Sequence, residues 1–86
     1  MEKLRQKVLD LLKSEFSGSE VQLDEPKEDE RIFGYLIWDG FAELDQLDRQ
    51  RQVWNLLRRE LDREDQRSVL AILTVTPDEL GVMQEG

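Results

Sequence analysis

Apolar residues recur at intervals of three and four in two long segments of the chain. In the first segment, 1–16, they form one stripe at Leu4, Val8, Leu11 and Leu12. In the second, 44–61, the stripe consists of Leu47, Val53, Trp54, Leu57 and Leu61. This spacing places the apolar side chains on one face of a helix. The sequence therefore predicts an amphipathic helix in each segment.

Three shorter segments have the patterns of β-strands. Residues 20–24 alternate between polar and apolar, which is typical of a strand with one buried face. Residues 31–38 are almost continuously apolar, as are residues 69–75, which predicts strands that are covered on both faces or nearly so. Asp39-Gly40 marks the turn after the second strand. The polar residues 62–66 form the connection that leads to the third.

The C-terminal segment has a clear helix start. In Thr76-Pro77-Asp78-Glu79, Thr is the N-cap residue, Pro takes the first helical position, and Glu can reach back to the cap. We expect a short helix over 77–83. The predicted order is thus α-β-β-α-β-α in a single domain, 1–86. Three strands with helices on one face form a two-layer α+β fold.

The composition excludes most catalytic chemistry. The 86 residues include no Cys and no His, so there is no disulfide, no thiolate nucleophile and no imidazole base or metal ligand. The sequence has no Gly-rich phosphate loop, and its serines have no base to activate them. We expect neither an enzyme nor a cofactor. The charged N-terminal segment lacks the apolar core of a signal peptide, and no segment is long enough to span a membrane, so we expect a cytoplasmic protein.

Charge is distributed unevenly along the chain. The net charge is −8, which disfavours binding of nucleic acid or an anionic membrane by the surface as a whole. Six of the seven residues 24–30 are charged, and this segment is either a solvated loop or a divalent-cation site. Pro26-Lys27 and the absence of a loop Gly do not fit the EF-hand pattern, which favours the solvated loop.

Six of the 12 basic residues lie on or just beyond the second long helix, at Arg49, Arg51, Arg58, Arg59, Arg63 and Arg67. They form either an anion-binding patch or a surface that is paired with neighbouring carboxylates. A Gly-x-x-Gly loop that clamps the nucleic-acid backbone, one of the recurrent signals of single-strand binding, is absent from this sequence. Trp38 and Trp54 are expected to pack in or beside the core, and an exposed Trp would favour a protein interface.

Two segments resemble the BolA family. In the first, Phe41 to Val53, the opening Phe and the arginines of an Arg-His-Arg triplet match Phe41, Arg49 and Arg51, and Glu60-Leu61 follows in register. The second, Ser68 to Leu80, resembles the third strand of the family and its Thr-Pro-Glu-Glu helix start. The resemblance implies a type II KH-like fold. It also implies a protein partner, a monothiol glutaredoxin, with which the family shares a [2Fe–2S] cluster.

The sequence departs from the family at the positions that would hold the cluster. Ser68 replaces the functional His before the third strand, and Gln50 replaces the His of the triplet. The second ligand of the family comes from the loop between the first two strands, where this chain offers only Asp, Glu and Lys. Hydroxyl and carboxylate groups are poor ligands for an iron–sulfur cluster. The resemblance therefore implies the fold and a partner, with the cluster ligand replaced.

We predict a non-enzymatic interaction module that is a monomer or a weak dimer, with a monothiol glutaredoxin as the candidate partner. The residues expected to bind a partner or nucleic acid are Arg49, Arg51, Arg58, Arg59 and Ser68. Those expected to be structural are Phe41, Trp54, Thr76, Pro77 and Glu79. The alternative is a KH-like nucleic-acid-binding transcriptional regulator that uses the Arg-rich helix, and a structural or assembly subunit is the third interpretation.

Overall fold

A computed structural model describes residues 2–24 and 31–85 of the chain. The elements, in chain order, are α1 (Glu2–Glu15), β1 (Glu20–Leu23), β2 (Ile32–Ile37), α2 (Gln46–Glu60), α3 (Arg63–Arg67), β3 (Val69–Val75) and α4 (Pro77–Glu85). A single turn of 3-10 helix, Asp39–Phe41, links β2 to α2. The predicted α+β class and element order are confirmed, and α3 is an additional short helix within the connection predicted to be irregular.

Local hydrogen bonds define where the helices begin and end. The carboxylate of Asp45 caps α2 by accepting from the Asp48 N–H at 2.8 Å. The carboxylate of Asp62 caps α3 in the same way, accepting from Asp65. After α1, Gly18 takes a left-handed conformation with φ of 83°, which glycine adopts without steric cost. The periodicity of the sequence does not reveal α3, because five residues are too few to produce a stripe.

The sheet has the order β1-β2-β3, with β1 antiparallel and β3 parallel to the central strand β2. The prediction of a covered central strand is confirmed for β2. For β3 the prediction of nearly complete burial is wrong, because the helices cover only one face of the sheet and β3 lies at its edge. Leu70 is 57% exposed, and Ala71 and Leu73 are half-buried. A continuous apolar run therefore identified β3 as a strand but did not specify a central place in the sheet.

The core lies between one face of the sheet and helices α1 and α2. Its fully buried members include Val8, Leu12, Leu36, Val53, Leu57 and Ile72. Leu47, predicted to be on the buried face of α2, is instead 60% exposed. At 100° per residue it lies about 120° around the helix from Val53. In the first turns of α2 the buried position belongs to Arg49.

Three aromatic rings join the end of α1 to the end of β2. Trp38 packs edge-on against Phe16 and Phe41, with ring centroids 5.2 and 5.1 Å apart. The indole N–H of Trp38 donates to the Ser17 carbonyl at 3.0 Å. Trp38 is half-buried, as expected for a residue at the edge of the core, and it fixes the chain where β2 turns into α2.

Gly34 lies in the middle of β2, where β1 approaches closely. A Cβ atom at this position would collide with the carbonyl oxygen of Gln22 and would lie 2.9 Å from the Cα of Leu23. Both neighbours are backbone atoms, which move only if the strand moves. The pairing of β1 with β2 thus requires a residue without a side chain at position 34.

We expect Gly34→Ala to lower the free energy of unfolding by about 2 kcal/mol, because the added methyl group must push β1 away from β2. Urea denaturation followed by Trp fluorescence measures the change. The matched control is Gly81→Ala, since a Cβ at position 81 meets no atom within 4 Å. In the interior of α4 this control should raise stability by up to about 1 kcal/mol. Equal effects of the two substitutions would contradict the steric argument.

Candidate interaction surface

Arg49 is buried beneath the first turns of α2 and is 4% exposed. Its Nε donates to the Leu44 carbonyl at 2.9 Å and to the Phe41 carbonyl at 3.1 Å. Its two terminal nitrogens donate to the two carboxylate oxygens of Glu79, at 2.7 and 3.1 Å. Nη1 also donates to the Thr74 carbonyl at 3.3 Å. One side chain therefore joins the 3-10 turn, α2, β3 and α4.

Arg49 is thus not part of an exposed binding patch, and this corrects its predicted place among the surface arginines. The physical reason is that its guanidinium fork is occupied by carbonyl and carboxylate acceptors inside the fold. The sequence predicts a structural role for Glu79. In the structure its carboxylate accepts hydrogen bonds from Arg49 and from the Thr76 N–H.

Two glutamines of α2 bind the outer edge of β3. The amide of Gln46 donates to the Thr74 carbonyl at 3.1 Å and accepts from the Thr74 hydroxyl at 3.0 Å. One helical turn later, Gln50 donates to the Ile72 carbonyl at 2.9 Å and to the Thr74 hydroxyl at 3.2 Å. The sequence did not indicate that Gln46 and Thr74 contact each other. The available signal was a pair of amides four residues apart on a helix next to a strand that holds one buried Thr.

The capping box at the start of α4 has the reciprocal hydrogen bonds that Thr76-Pro77-Asp78-Glu79 predicts. The Thr76 N–H donates to the Glu79 carboxylate at 2.9 Å, and the Glu79 N–H donates to the Thr76 hydroxyl at 3.2 Å. The hydrogen bond from the Arg49 side chain lowers the pKa of Glu79 below its ordinary value of 4.5, and the Thr76 N–H lowers it further. The carboxylate therefore stabilises α4 as an anion.

We expect this carboxylate to make stability depend on pH. Because the pKa of Glu79 is lowered on folding, its contribution is fully present above the unfolded pKa and is lost as pH falls through the folded one. Urea denaturation should show that Glu79→Gln is less stable than the parent at pH 7. The difference should shrink as pH falls below the ordinary pKa of 4.5. The control is Asp78→Asn, at an exposed neighbour that makes no hydrogen bond to Arg49. At pH 7 it should lower the free energy of unfolding by less than Glu79→Gln does.

The other predicted surface arginines are exposed, and two of them have acidic partners. Arg51 lies 3.8 Å from the Asp48 carboxylate, and Arg59 lies 3.6 Å from the Glu15 carboxylate on α1. Arg58 is exposed and has no ion pair with the side chains of residues 3–24 and 31–82. Exposed pairs of this kind contribute about 0–1 kcal/mol each. Two of these three exposed arginines therefore have an acidic neighbour, which interrupts the positive charge along α2.

An apolar and basic surface runs along α2 beside β3. Gln46 and Gln50, one turn apart, bind carbonyls two residues apart, so α2 and β3 run in opposite directions. Because one more helical turn and two more strand residues continue this spacing, we infer that Trp54 lies level with Leu70. We call the exposed and half-buried side chains here the α2–β3 surface; they are Leu47, Arg51, Trp54, Arg58 and Leu70.

Ser68 lies at one end of this surface, between α3 and β3. It is half-buried and caps α3, its N–H donating to the Asp65 carbonyl at 3.0 Å. Its carbonyl accepts from the Ile32 N–H at 2.7 Å, which starts the pairing of β3 with β2. Within the described part of the chain, its hydroxyl makes one hydrogen bond, a long one of 3.5 Å to the Glu64 carbonyl. The hydroxyl therefore remains available to a partner protein.

The donor set does not fit an iron–sulfur cluster. The hydroxyl of Ser68 stands where the resemblance implies a His, and the chain contains neither His nor Cys. Among the side chains of residues 3–24 and 31–82, no three acidic groups come together as a metal site would require. Residues 25–30 lie outside the described residues, so both interpretations of the charged loop stay predictions.

Comparison with known proteins identifies the fold. No protein-family model matches the sequence, and no curated protein matches it. The architecture is that of a BolA-like α+β domain, with a three-stranded mixed sheet and an α-β-β-α-β-α order. The solved structure of BolA1 from Arabidopsis thaliana superposes with a TM-score of 0.68 at 23% sequence identity, covering 88% of this chain and 94% of that one. The resemblance seen in the sequence is thus supported at the level of the fold.

The described residues form four α-helices, α1 to α4. None of them combines the length and the apolar character that crossing a bilayer demands.

Proposed function

We propose that this chain is a non-enzymatic interaction module that binds a protein partner through the α2–β3 surface. The observation that carries the proposal is the exposure of Leu47 on α2 and Leu70 on β3, at 60% and 57%. Leu47 lies about two turns before Trp54, which is half-buried and packs against the core. Trp and Arg are enriched in binding hot spots, and exposed apolar patches bordered by polar residues mark interaction sites. Arg51 and Arg58 border the apolar residues and would pair with acidic groups on the partner.

A monothiol glutaredoxin is the partner that we propose to test first. The BolA-like fold and the resemblance at Phe41 to Val53 and Ser68 to Leu80 support this choice. Because Ser68 replaces the cluster ligand, we propose that the association relies on surface contact and needs no shared [2Fe–2S] cluster.

The nucleic-acid alternative receives less support. Arg49 is buried, and Arg51 and Arg59 each lie within 4 Å of a carboxylate. A protein that neutralises phosphates needs a continuous set of free basic side chains, and the net charge of −8 opposes such binding. The mixture of basic and acidic side chains on α2 is better suited to a protein partner that carries charges of both signs.

Titration of the ¹⁵N-labelled chain with a monothiol glutaredoxin from the same organism tests the proposal, first without and then with iron and glutathione. We expect amide shifts along α2 and at the start of β3 under both conditions. Ultraviolet–visible spectra of the co-expressed pair should show no cluster absorption that depends on this chain. Absence of shifts under both conditions would remove glutaredoxin as the partner.

Variants distinguish contact through the α2–β3 surface from contact elsewhere. Leu47→Asp and Leu70→Asp should each weaken the complex by about tenfold or more, as expected when a central apolar contact is lost. Val82→Asp is the matched control, since Val82 is 70% exposed but lies on α4. Equal loss in all three variants would indicate a general effect of charge and contradict the proposed surface.

A further inference from the structure

The two edges of the sheet differ in how they are protected. On β3 the outward carbonyls of Ile72 and Thr74 accept hydrogen bonds from the α2 side chains Gln50, Gln46 and Arg49. An added strand would have to displace these donors. The β3 edge is therefore closed to another strand over this stretch.

The β1 edge is open by comparison. The Asp24 N–H donates to the Phe33 carbonyl at 2.8 Å, so the alternation of an antiparallel ladder points Glu20, Gln22 and Asp24 towards β2. The backbone groups of Val21 and Leu23 then point outward. Arg5 donates to the Leu23 carbonyl at 2.8 Å and to the Asp24 carbonyl at 3.2 Å, so a guest strand would have to displace this one side chain. The other three groups, the N–H and C=O of Val21 and the N–H of Leu23, have no hydrogen-bond partner within the described residues.

A groove lies beside this open edge. It has a volume of about 370 Å³ between α1 and β1, and it is lined by Arg5, Gln6 and Leu9 of α1 and by Val21, Gln22 and Leu23 of β1. An edge strand next to a helix is the arrangement in which an extended peptide adds a strand while its alternate side chains enter a groove. We propose that the β1 edge binds an extended, basic segment of a partner protein as an additional strand. This site is separate from the α2–β3 surface and does not depend on the function proposed for that surface.

The alternation of β1 specifies the guest sequence. Guest residues that face α1 would lie beside Val21 and Leu23 in the groove, so they should be apolar. Guest residues on the other face would lie opposite Glu20, Gln22 and Asp24. Opposite charges across a strand pair stabilise it and like charges destabilise it. The favoured guest is therefore basic, apolar, polar, apolar, basic.

The same charges argue against a second copy of this chain as the occupant. When two β1 strands pair antiparallel with the greatest overlap, Glu20 of each lies opposite Asp24 of the other. Both cross-strand pairs at the ends are then repulsive. The net charge of −8 adds to the repulsion between copies and attracts a basic guest.

Peptide titrations followed by ¹⁵N NMR test the proposal directly. The probe is a nine-residue blocked peptide with Lys-Val-Thr-Val-Lys at its centre. It should shift the Val21 and Leu23 amides. It should bind at least tenfold more tightly than either of two control peptides in the same frame: Glu-Val-Thr-Val-Glu, and Lys-Thr-Val-Thr-Lys, which keeps the lysines and exchanges the apolar and polar residues between the two faces. In the double variant Glu20→Lys with Asp24→Lys, the preference should invert towards the acidic peptide. Shifts that are scattered over the surface, or equal binding of the three peptides, would overturn the proposal.

Self-association supplies a second, independent test. The single substitution Glu20→Lys would place a lysine opposite Asp24 of a second copy at both ends of the pair. We expect this variant to form a dimer at low salt, seen by sedimentation and by shifts at Val21, that dissociates as salt is raised. Glu43→Lys, an equal charge change away from β1, should behave as the parent does. A variant that stays in the parent's state, or a parent that itself pairs through β1, would overturn the proposed charge rule.

Discussion

Replacement of Arg49 by methionine should lower the free energy of unfolding by about 3–5 kcal/mol, although the side chain lies in a segment whose other arginines are exposed. The substitution keeps most of the apolar volume but removes all the donors of the guanidinium. The Thr74, Phe41 and Leu44 carbonyls then lose a partner, and a buried acceptor without one costs about 1–3 kcal/mol. Glu79 contributes less to this loss because its side chain is 44% exposed and water replaces part of the interaction.

Urea denaturation at neutral pH, followed by circular dichroism, measures this effect. Arg51→Met is the matched control: Arg51 lies two residues away, is exposed and has only a 3.8 Å ion pair, so its loss should change stability by about 0.5 kcal/mol or less. Arg49→Lys should recover little of the stability, because an ammonium group cannot reproduce the two parallel hydrogen bonds to Glu79. Similar stabilities for the variants at positions 49 and 51 would contradict the assigned role of Arg49.

The second large effect is expected for Phe41→Ala, which should cost about 3–5 kcal/mol. Phe41 is fully buried, and its ring packs edge-on against Trp38 and at 5.6 Å from Phe16. It also lies under the Arg49 guanidinium, whose central carbon is 5.7 Å from the ring centroid. Removal of the ring leaves a cavity where α1, β2 and α2 meet, and the surrounding rings can fill it only in part.

Trp fluorescence and thermal unfolding should both report the change at Phe41, because Trp38 loses its neighbour. Leu47→Ala is the control for removal of a large apolar side chain, since Leu47 is mostly exposed and its loss should cost well under 1 kcal/mol. Phe41→Leu should recover about half of the loss by refilling part of the volume. If Phe41→Ala and Leu47→Ala were equally stable, the position of Phe41 in the core would be wrong.

Much of the fold follows from local patterns in the sequence. The apolar run at Val69–Val75 matches β3, and the capping box at Thr76 marks the start of α4. Both signals arise within a few residues, where propensity and capping act. The short helix α3 was missed because its start depends on one Asp cap, and a polar segment of that length has no apolar period.

The candidate site was less predictable than the fold. The sequence grouped Arg49 with Arg51 and Arg58 because all three lie on one helix and carry the same charge. Which of them is buried depends on acceptors far along the chain, at Thr74 and Glu79, and no local pattern indicates their distance in space. Leu47 was misplaced for a related reason, since a wide apolar stripe does not tell which of its borders the sheet covers.

The sequence by itself determined the element types, the buried faces of most helices and strands, and the absence of His and Cys ligands, because these depend on composition and on neighbours within one or two turns. Only the tertiary structure decided that β3 is an edge strand, that side chains of α2 close that edge, and that Arg49 is buried while Arg51 is exposed. The physical reason is that periodicity specifies which face of an element avoids water. Which other element covers that face is determined by contacts between residues 20 to 30 positions apart in the chain.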